Sequence, residues 1–268
     1  MGRFVTLSEA AEFVRDGMTL AFGGMTIYRR PIAFVLELLK RPQRPRDLTL
    51  FAFSHGYEAD LLIGAGCVSA VRSCYFGLES FGLAPMFTEK SGRGEIQVIE
   101  ETEASIGGGL RAAAANIGFM PSTAWIGTDL PSLRPDVRTI TDPYTGETLT
   151  AFPAIKPDIA ILHALEADKW GNIAINQNVG IDQELVCASG LVLVTYERLV
   201  DELVKSADRT ILPAPVSDIL AHAPDGAWPT SCYPLYPFDG AELMAYVEAC
   251  NSGEFDGYVR RLMDHAER

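Results

Sequence analysis

Apolar residues along this chain fall into two rhythms: short unbroken runs such as Ile159-Ala160-Ile161-Leu162, and longer stretches with apolar positions three or four apart, as in Ile32-Ala33-Phe34-Val35-Leu36. The first rhythm predicts buried strands and the second predicts helices; their alternation through the first third predicts βαβ units and a mostly parallel sheet. Helices are expected over 8–16, with Ser8 as N-cap, over 32–39 behind Pro31, and over the alanine-rich 110–116. Strands are expected at 18–22, 48–54, 71–76 and 96–99. The pieces 138–140 and 148–151, joined by Asp142-Pro143-Tyr144-Thr145-Gly146-Glu147, predict a small β-hairpin insertion. Residues 157–202 string together a strand (159–164), the turn Asp168-Lys169-Trp170-Gly171-Asn172, an extended piece (173–175), a helix (182–189) and a strand (191–195). The proline-rich 213–237 predicts no regular element, and 240–251 and 254–267 predict closing helices. No repeat or linker interrupts the chain, so one domain spanning 1–268 is expected, an α/β open sheet with helices on both faces.

At 268 residues and 48% apolar composition the chain can bury a full core. Its formal charge of −13 argues against a nucleic-acid surface, which needs Lys and Arg to neutralise phosphates. The five cysteines are odd in number and form no C-x-x-C pair, the pattern of reduced thiols in a cytoplasmic protein without a zinc site. No run approaches the length of a membrane span, and the N-terminal MGRFVTLSEAAEFV carries acids where a secretion signal is apolar. A cytoplasmic protein without a membrane partner is expected.

In open parallel sheets ligands bind beyond the carboxyl ends of the strands. The junctions there are Gly23-Gly24-Met25-Thr26, Ser54-His55-Gly56, Gly77-Leu78-Glu79-Ser80 and Glu100-Glu101-Thr102-Glu103. Gly23 and Gly24 would let backbone N–H groups approach a thioester carbonyl or a carboxylate, the logic of an oxyanion hole. Arg29 or Arg30 would hold an acidic acyl group through a forked pair of hydrogen bonds. Glu103 is the sharpest catalytic candidate, since it precedes Gly107-Gly108-Gly109 and a helix whose N-terminus favours an anion; Glu79 is its rival. His55 follows a strand, but no nucleophile stands at a diagnostic spacing from any of the four histidines. His163 reads as a core residue. Gly64-Ala65-Gly66-Cys67 follows a helical stretch instead of a strand, which disfavours a nicotinamide cofactor.

The D-K-W-G-N turn followed by Tyr196-Glu197-Arg198-Leu199-Val200 resembles the A subunits of class I CoA-transferases, the glutaconate type above all. So do Gly23-Gly24 with Arg29-Arg30-Pro31, Ile63-Gly64-Ala65-Gly66-Cys67-Val68, Gly118-Phe119-Met120-Pro121, and the ending Ala223-Pro224-Asp225-Gly226-Ala227-Trp228-Pro229-Thr230-Ser231-Cys232. The resemblance implies a NagB-like open sheet, a B subunit of similar fold, and an active site at the interface. In that family a glutamate on the B chain attacks the acyl-CoA, which implies covalent catalysis with coenzyme A as substrate and no bound cofactor or metal. Gly23, Gly24, Arg29, Arg30, Ser54 and Glu79 are then the candidate substrate-binding residues.

A related branch hydrolyses a carbon–carbon bond in a steroid-ring CoA thioester using a glutamate of its A subunit. Glu100-Glu101-Thr102-Glu103 before Gly109-Leu110-Arg111-Ala112-Ala113-Ala114 resembles that branch's E-x-x-E-G-M and G-L-x-A-A-A, with Ala104 and Ser105 departing from it. Glu103 falls on the catalytic position there, and a decarboxylating branch lacks a glutamate at this place. Three expectations follow: a transferase A subunit that works on acyl-CoA and a free carboxylic acid, a ring-opening hydrolase subunit using Glu103 as general base, and a non-catalytic acyl-CoA-binding subunit.

Overall fold

The computed structural model describes residues 2–265. Eight strands lie side by side and parallel in the order Arg3–Val5, Ile219–His222, Leu191–Val200, Ile159–Asp168, Thr19–Phe22, Leu48–Phe51, Val68–Ser73, Gln97–Glu100. Antiparallel Ile173–Asn176 and Arg209–Leu212 extend the Ile159–Asp168 strand through the Asp168–Asn172 turn. Successive strand residues point to opposite faces, and the core divides accordingly. Leu20 and Phe22 pack with Leu50, Ile161 and Leu193 under the helices Ile32–Lys40, Tyr57–Gly64, Gly240–Asn251 and Phe255–His265. Ala21 and Leu162 face the other way, under Glu103–Ala114 and Asp182–Ala188. The open α/β sheet with helices on both faces is as the sequence predicts.

Several element bounds differ from the pattern, for identifiable reasons. The first helix is Leu7–Ala11, capped by Thr6, whose hydroxyl accepts from the Glu9 amide while the Glu9 carboxylate accepts from the Thr6 amide. The strand expected over 48–54 stops at Phe51 and the one expected over 71–76 begins at Val68, while the remnants Ser54–His55 and Tyr75–Phe76 pair with each other beyond the sheet. Ile219–His222 lies inside the stretch expected to be irregular; four apolar-rich residues between prolines form a strand because neighbours on both sides supply its hydrogen bonds. The hairpin Arg138–Thr141 and Thr148–Pro153 is present, joined by Phe119–Ser122 in a three-stranded sheet. The alanine-rich helix starts at Glu103, seven residues before the predicted start, because Thr102 and Ser105 cap each other there. The three glycines are therefore within it. Gly109 is there because its neighbours come close: a Cβ would lie 2.5 Å from the Ile155 side chain and 2.8 Å from the Pro153 carbonyl. The last helix ends at His265; the predicted terminus at Glu267 lies outside the described residues.

Candidate active site

Because the strands are parallel, the C-terminal ends of Thr19–Phe22, Leu48–Phe51, Val68–Ser73 and Gln97–Glu100 open on one edge of the sheet. The first loop there, residues 23–30, is braced by two buried ion pairs. Arg29 is 1% exposed and pairs with Asp182; it also donates to the carbonyls of His163 (3.0 Å) and Asn178 (2.9 Å) and to Asn176 Oδ1 (3.3 Å). Arg30 is fully buried, bonds the carbonyls of Ser54, Gly23 (2.6 Å) and Thr26 (3.1 Å), and pairs with Glu58 at 3.1 Å. Gly24, Thr26 and Arg29 all have positive φ, at 76°, 43° and 58°. For the β-branched Thr26 and for Arg29 this is a strained backbone that persists only where the surroundings fix it.

These contacts change the expected roles of four residues. Arg29 and Arg30 do not fork around a substrate carboxylate: their guanidiniums are turned inward and committed to protein acceptors. Nor are the Gly23 and Gly24 amides free for an oxyanion, since they donate to the Ile161 carbonyl (2.9 Å) and to Asp182 Oδ1 (3.0 Å). The glycines answer to space. A Cβ on Gly23 would fall 2.7 Å from Asp182 Oδ1, and one on Gly24 2.6 Å from the Tyr28 and Arg29 carbonyls.

Ser54 is also built into the brace, its hydroxyl accepting from the Thr26 amide at 3.1 Å. Beside it His55 is fully buried, Nδ1 lying 3.2 Å from Glu58 Oε1. Burial drives the imidazole pKa down despite Glu58. Glu58 feels the same burial, which would raise its carboxyl, but Arg30 and His55 outweigh it and hold it below the usual range.

Further along the edge, Cys74 donates to the Phe53 carbonyl, and burial followed by the charge of Glu103 pushes its thiol up to about 11. Glu103 opens the helix Glu103–Ala114 with its side chain exposed and, among the described residues, without an ion-pair or hydrogen-bond partner. Its neighbour Glu101 is turned in, clamped at 2.6 Å by both Arg72 and Arg134. Glu79 is exposed in a short 3₁₀ turn on the next loop, at φ 55°. Tyr28, Asn178, Tyr233 and Phe238 wall a cleft of about 480 Å³ beside the braced loop. A cleft of about 580 Å³ at the opposite edge, by Lys156, Asp158 and Gly190, sits where strands begin and holds none of these candidates.

Asp182, Glu58 and Arg134 escaped the sequence reading, and Glu101 stands there only as part of the 100–103 junction. Asp182 reads there as an ordinary first residue of a helix, and its partner Gly24 lies 158 positions away. The C-terminal segment is fastened by another buried network. His163 bonds Thr195 and Glu197, each at 2.7 Å, and Glu197 accepts from the Asp225 amide (2.6 Å) and the Tyr236 hydroxyl. His163, Glu197 and Cys232 lie within 4.8 Å of one another, as metal ligands do, but the imidazole and carboxylate are already bonded to protein, and burial keeps the Cys232 thiol up at about 12.

An open, mostly parallel sheet with a braced glycine loop at its C-terminal edge places the chain in the α/β class whose members bind ligands beyond the strand ends. The coenzyme A transferase profile matches residues 4–223, and the chain belongs to that family, as an A-type subunit. It is 30% identical to the A subunit of 3-oxoadipate CoA-transferase from Pseudomonas knackmussii, covering 100% of this chain and 97% of that one. It is 34% identical to the cholesterol ring-cleaving hydrolase IpdA subunit of Rhodococcus jostii, over 92% of this chain and 87% of the relative. Among solved structures, a variant of the AibA/AibB decarboxylase superposes with a TM-score of 0.90 at 30% identity, covering 98% of both chains. Glutaconate CoA-transferase of Acidaminococcus fermentans superposes at 0.86 and 28% identity, over 97% of this chain and 88% of that one. Among the described residues no helix is long and apolar enough to cross a membrane.

Proposed function

We propose that residues 1–268 form one domain, the A subunit of a heteromeric enzyme that moves CoA between an acyl-CoA and a free carboxylic acid, with the attacking glutamate supplied by a B-type partner. What carries this reading is that the edge is shaped but not armed. The 23–30 loop is held in one strained form by Asp182 and Glu58, while the thiol and the imidazole beside it are withdrawn, the Cys74 thiol pushed up to about 11 and His55 sealed in the core; the carboxylates of Glu79 and Glu103 stay exposed there. Gly23, Gly24 and Ser54 then serve as a rigid wall for the thioester through their shape. Glu79 and Glu103 border the acyl group, and coenzyme A enters as a substrate.

The exposed Glu103 carboxylate supports a second reading, a CoA-thioester hydrolase in which Glu103 is the general base. Purifying the chain with its partner and assaying Glu103→Gln separates the two. Under the transferase reading the partner carries a reactive glutamate and the variant loses only modestly in kcat. Under the hydrolase reading the variant is inactive yet folded, and the partner lacks that glutamate. A chain that binds acyl-CoA but shows neither activity with its partner refutes both.

A further inference from the structure

Exposed aromatic side chains gather at one place beside the braced loop. Tyr28, Tyr233 and Phe238 all reach solvent, and together they wall the cleft of about 480 Å³. Single exposed apolar residues need no explanation, but a cluster of them lining a concave surface marks a place that something else covers. The backbone that presents Tyr28 is fixed. Met25 and Tyr28 exchange both backbone hydrogen bonds, at 2.7 and 3.0 Å, the Arg29 amide donates to the Ser231 carbonyl at 2.6 Å, and the strained Thr26 and Arg29 stand on either side. The Tyr28 ring meets Phe238 edge to face at 6.5 Å, and Phe238 meets Phe81 in the same way at 5.6 Å. Phe81 closes the short turn that carries Glu79, so the cleft is continuous with the candidate site.

The polar side chains in its walls are spent on protein. Asn176 accepts from Arg29 and donates to the Tyr233 carbonyl, the Gln177 amide donates to the Ala207 carbonyl at 3.0 Å, and the Ser231 hydroxyl donates to the Tyr236 carbonyl at 3.2 Å. Among the described residues no lysine or arginine lines the cleft. Arg29, behind it, is committed to Asp182 and three further acceptors. The charged residue in the walls is Asp208, an exposed carboxylate 3.8 Å from Arg209, which is itself held by Glu166 at 2.7 Å. An anion entering the cleft meets a like charge and no free cation. We propose that this cleft holds the acyl tail of the CoA thioester and selects a neutral, apolar tail against one that ends in a second carboxylate. The proposal rests on the acyl-CoA reading given above. The aromatic walls supply apolar contact area to such a tail, whereas a carboxylate there would lose its water without gaining a partner.

The test uses the complex with its native partner, titrated calorimetrically without acceptor acid. The probes are acetyl-CoA, valeryl-CoA and glutaryl-CoA, the last two matched in carbon count and differing in a terminal methyl or carboxylate. The wild-type complex binds valeryl-CoA more tightly than glutaryl-CoA by at least roughly 30-fold, the penalty expected for an unpaired charge. Asn178→Arg keeps the backbone carbonyl that Arg29 uses and places a cation in the cleft; it narrows that ratio by roughly tenfold through a forked pair with the new carboxylate. Phe238→Ala removes a wall, weakens valeryl-CoA by roughly tenfold and leaves acetyl-CoA within about twofold. Should Asn178→Arg fail to fold, Phe238→Ala carries the test alone. A wild-type complex that binds glutaryl-CoA as well as valeryl-CoA overturns the proposal, as do variants that leave the ratio and the valeryl-CoA affinity unchanged. So does Phe238→Ala that breaks the complex apart but not thioester binding, which would make the cleft the partner's seat. An intact complex that binds none of the three thioesters sinks the acyl-CoA reading itself, whereas tight acetyl-CoA with no preference between the longer two sinks the cleft alone.

Discussion

Asp182→Asn tests the brace beneath the glycine loop. The carboxylate is fully buried, pairs with Arg29 through Oδ2 and accepts the Gly24 amide through Oδ1 at 3.0 Å. An amide of the same shape can still accept from Gly24 but no longer neutralises Arg29. Removing one partner of a buried ion pair costs about 3–5 kcal/mol, because the other charge is left in the interior. Arg29 retains three neutral acceptors, the carbonyls of His163 and Asn178 and the Asn176 side chain, so the lower end applies, about 3 kcal/mol. For a chain of this size that corresponds to a fall in unfolding midpoint of about 6–12 °C. The assay is thermal and urea unfolding of wild type, Asp182→Asn, Arg29→Met and the double variant, at one fixed concentration of the complex. The double variant should lose less than the sum of the singles by about 1–3 kcal/mol, since neither leaves an unpaired charge once both are gone. A loss below about 0.5 kcal/mol for Asp182→Asn, or strict additivity, would refute the reasoning.

Two further outcomes concern the buried interior. Gly23→Ala places its methyl 2.7 Å from Asp182 Oδ1 and 2.9 Å from Leu162 Cγ, so a loss of about 1–3 kcal/mol in urea unfolding and a drop in kcat are expected; wild-type stability would show that the loop yields. Asp60 is fully buried, and burial lifts its carboxyl from the ordinary 3.8 to about 6, although the Tyr246 hydroxyl and the Phe87 and Met86 amides donate to it. A carboxyl raised on folding favours the folded state below pH 4, and that contribution disappears as pH rises through 6. At about 1.4 kcal/mol per pH unit this amounts to about 3 kcal/mol. The stability difference between wild type and Asp60→Asn should shift against wild type by that order from pH 4 to 6.5, and a flat difference would contradict it.

The middle of the sheet was legible in the sequence because its central strands are buried on both faces and so appear as apolar runs; Thr19–Phe22 and Ile159–Asp168 were predicted within a few residues. Ile219–His222 was not, since a four-residue strand between prolines borrows its regularity from neighbours distant in sequence. Position at the sheet's edge was legible too, because the junctions after parallel strands meet there whatever their side chains do. Role was less so. Two adjacent arginines after a glycine pair look the same in sequence whether they face a substrate or the core, and only the distant Asp182 and the nearby Glu58 turn them inward. Glu101 and Glu103 show the same limit: two residues apart, one is buried between Arg72 and Arg134 and the other exposed, because the helix start at Thr102 separates their directions.

In the proposed reaction this chain shapes a site whose nucleophile belongs to its partner. Intact-mass spectrometry of the complex after brief incubation with an acyl-CoA, without acceptor acid, tests it most directly. A CoA adduct on the partner chain and none on this one is the predicted result. An adduct on this chain would contradict it.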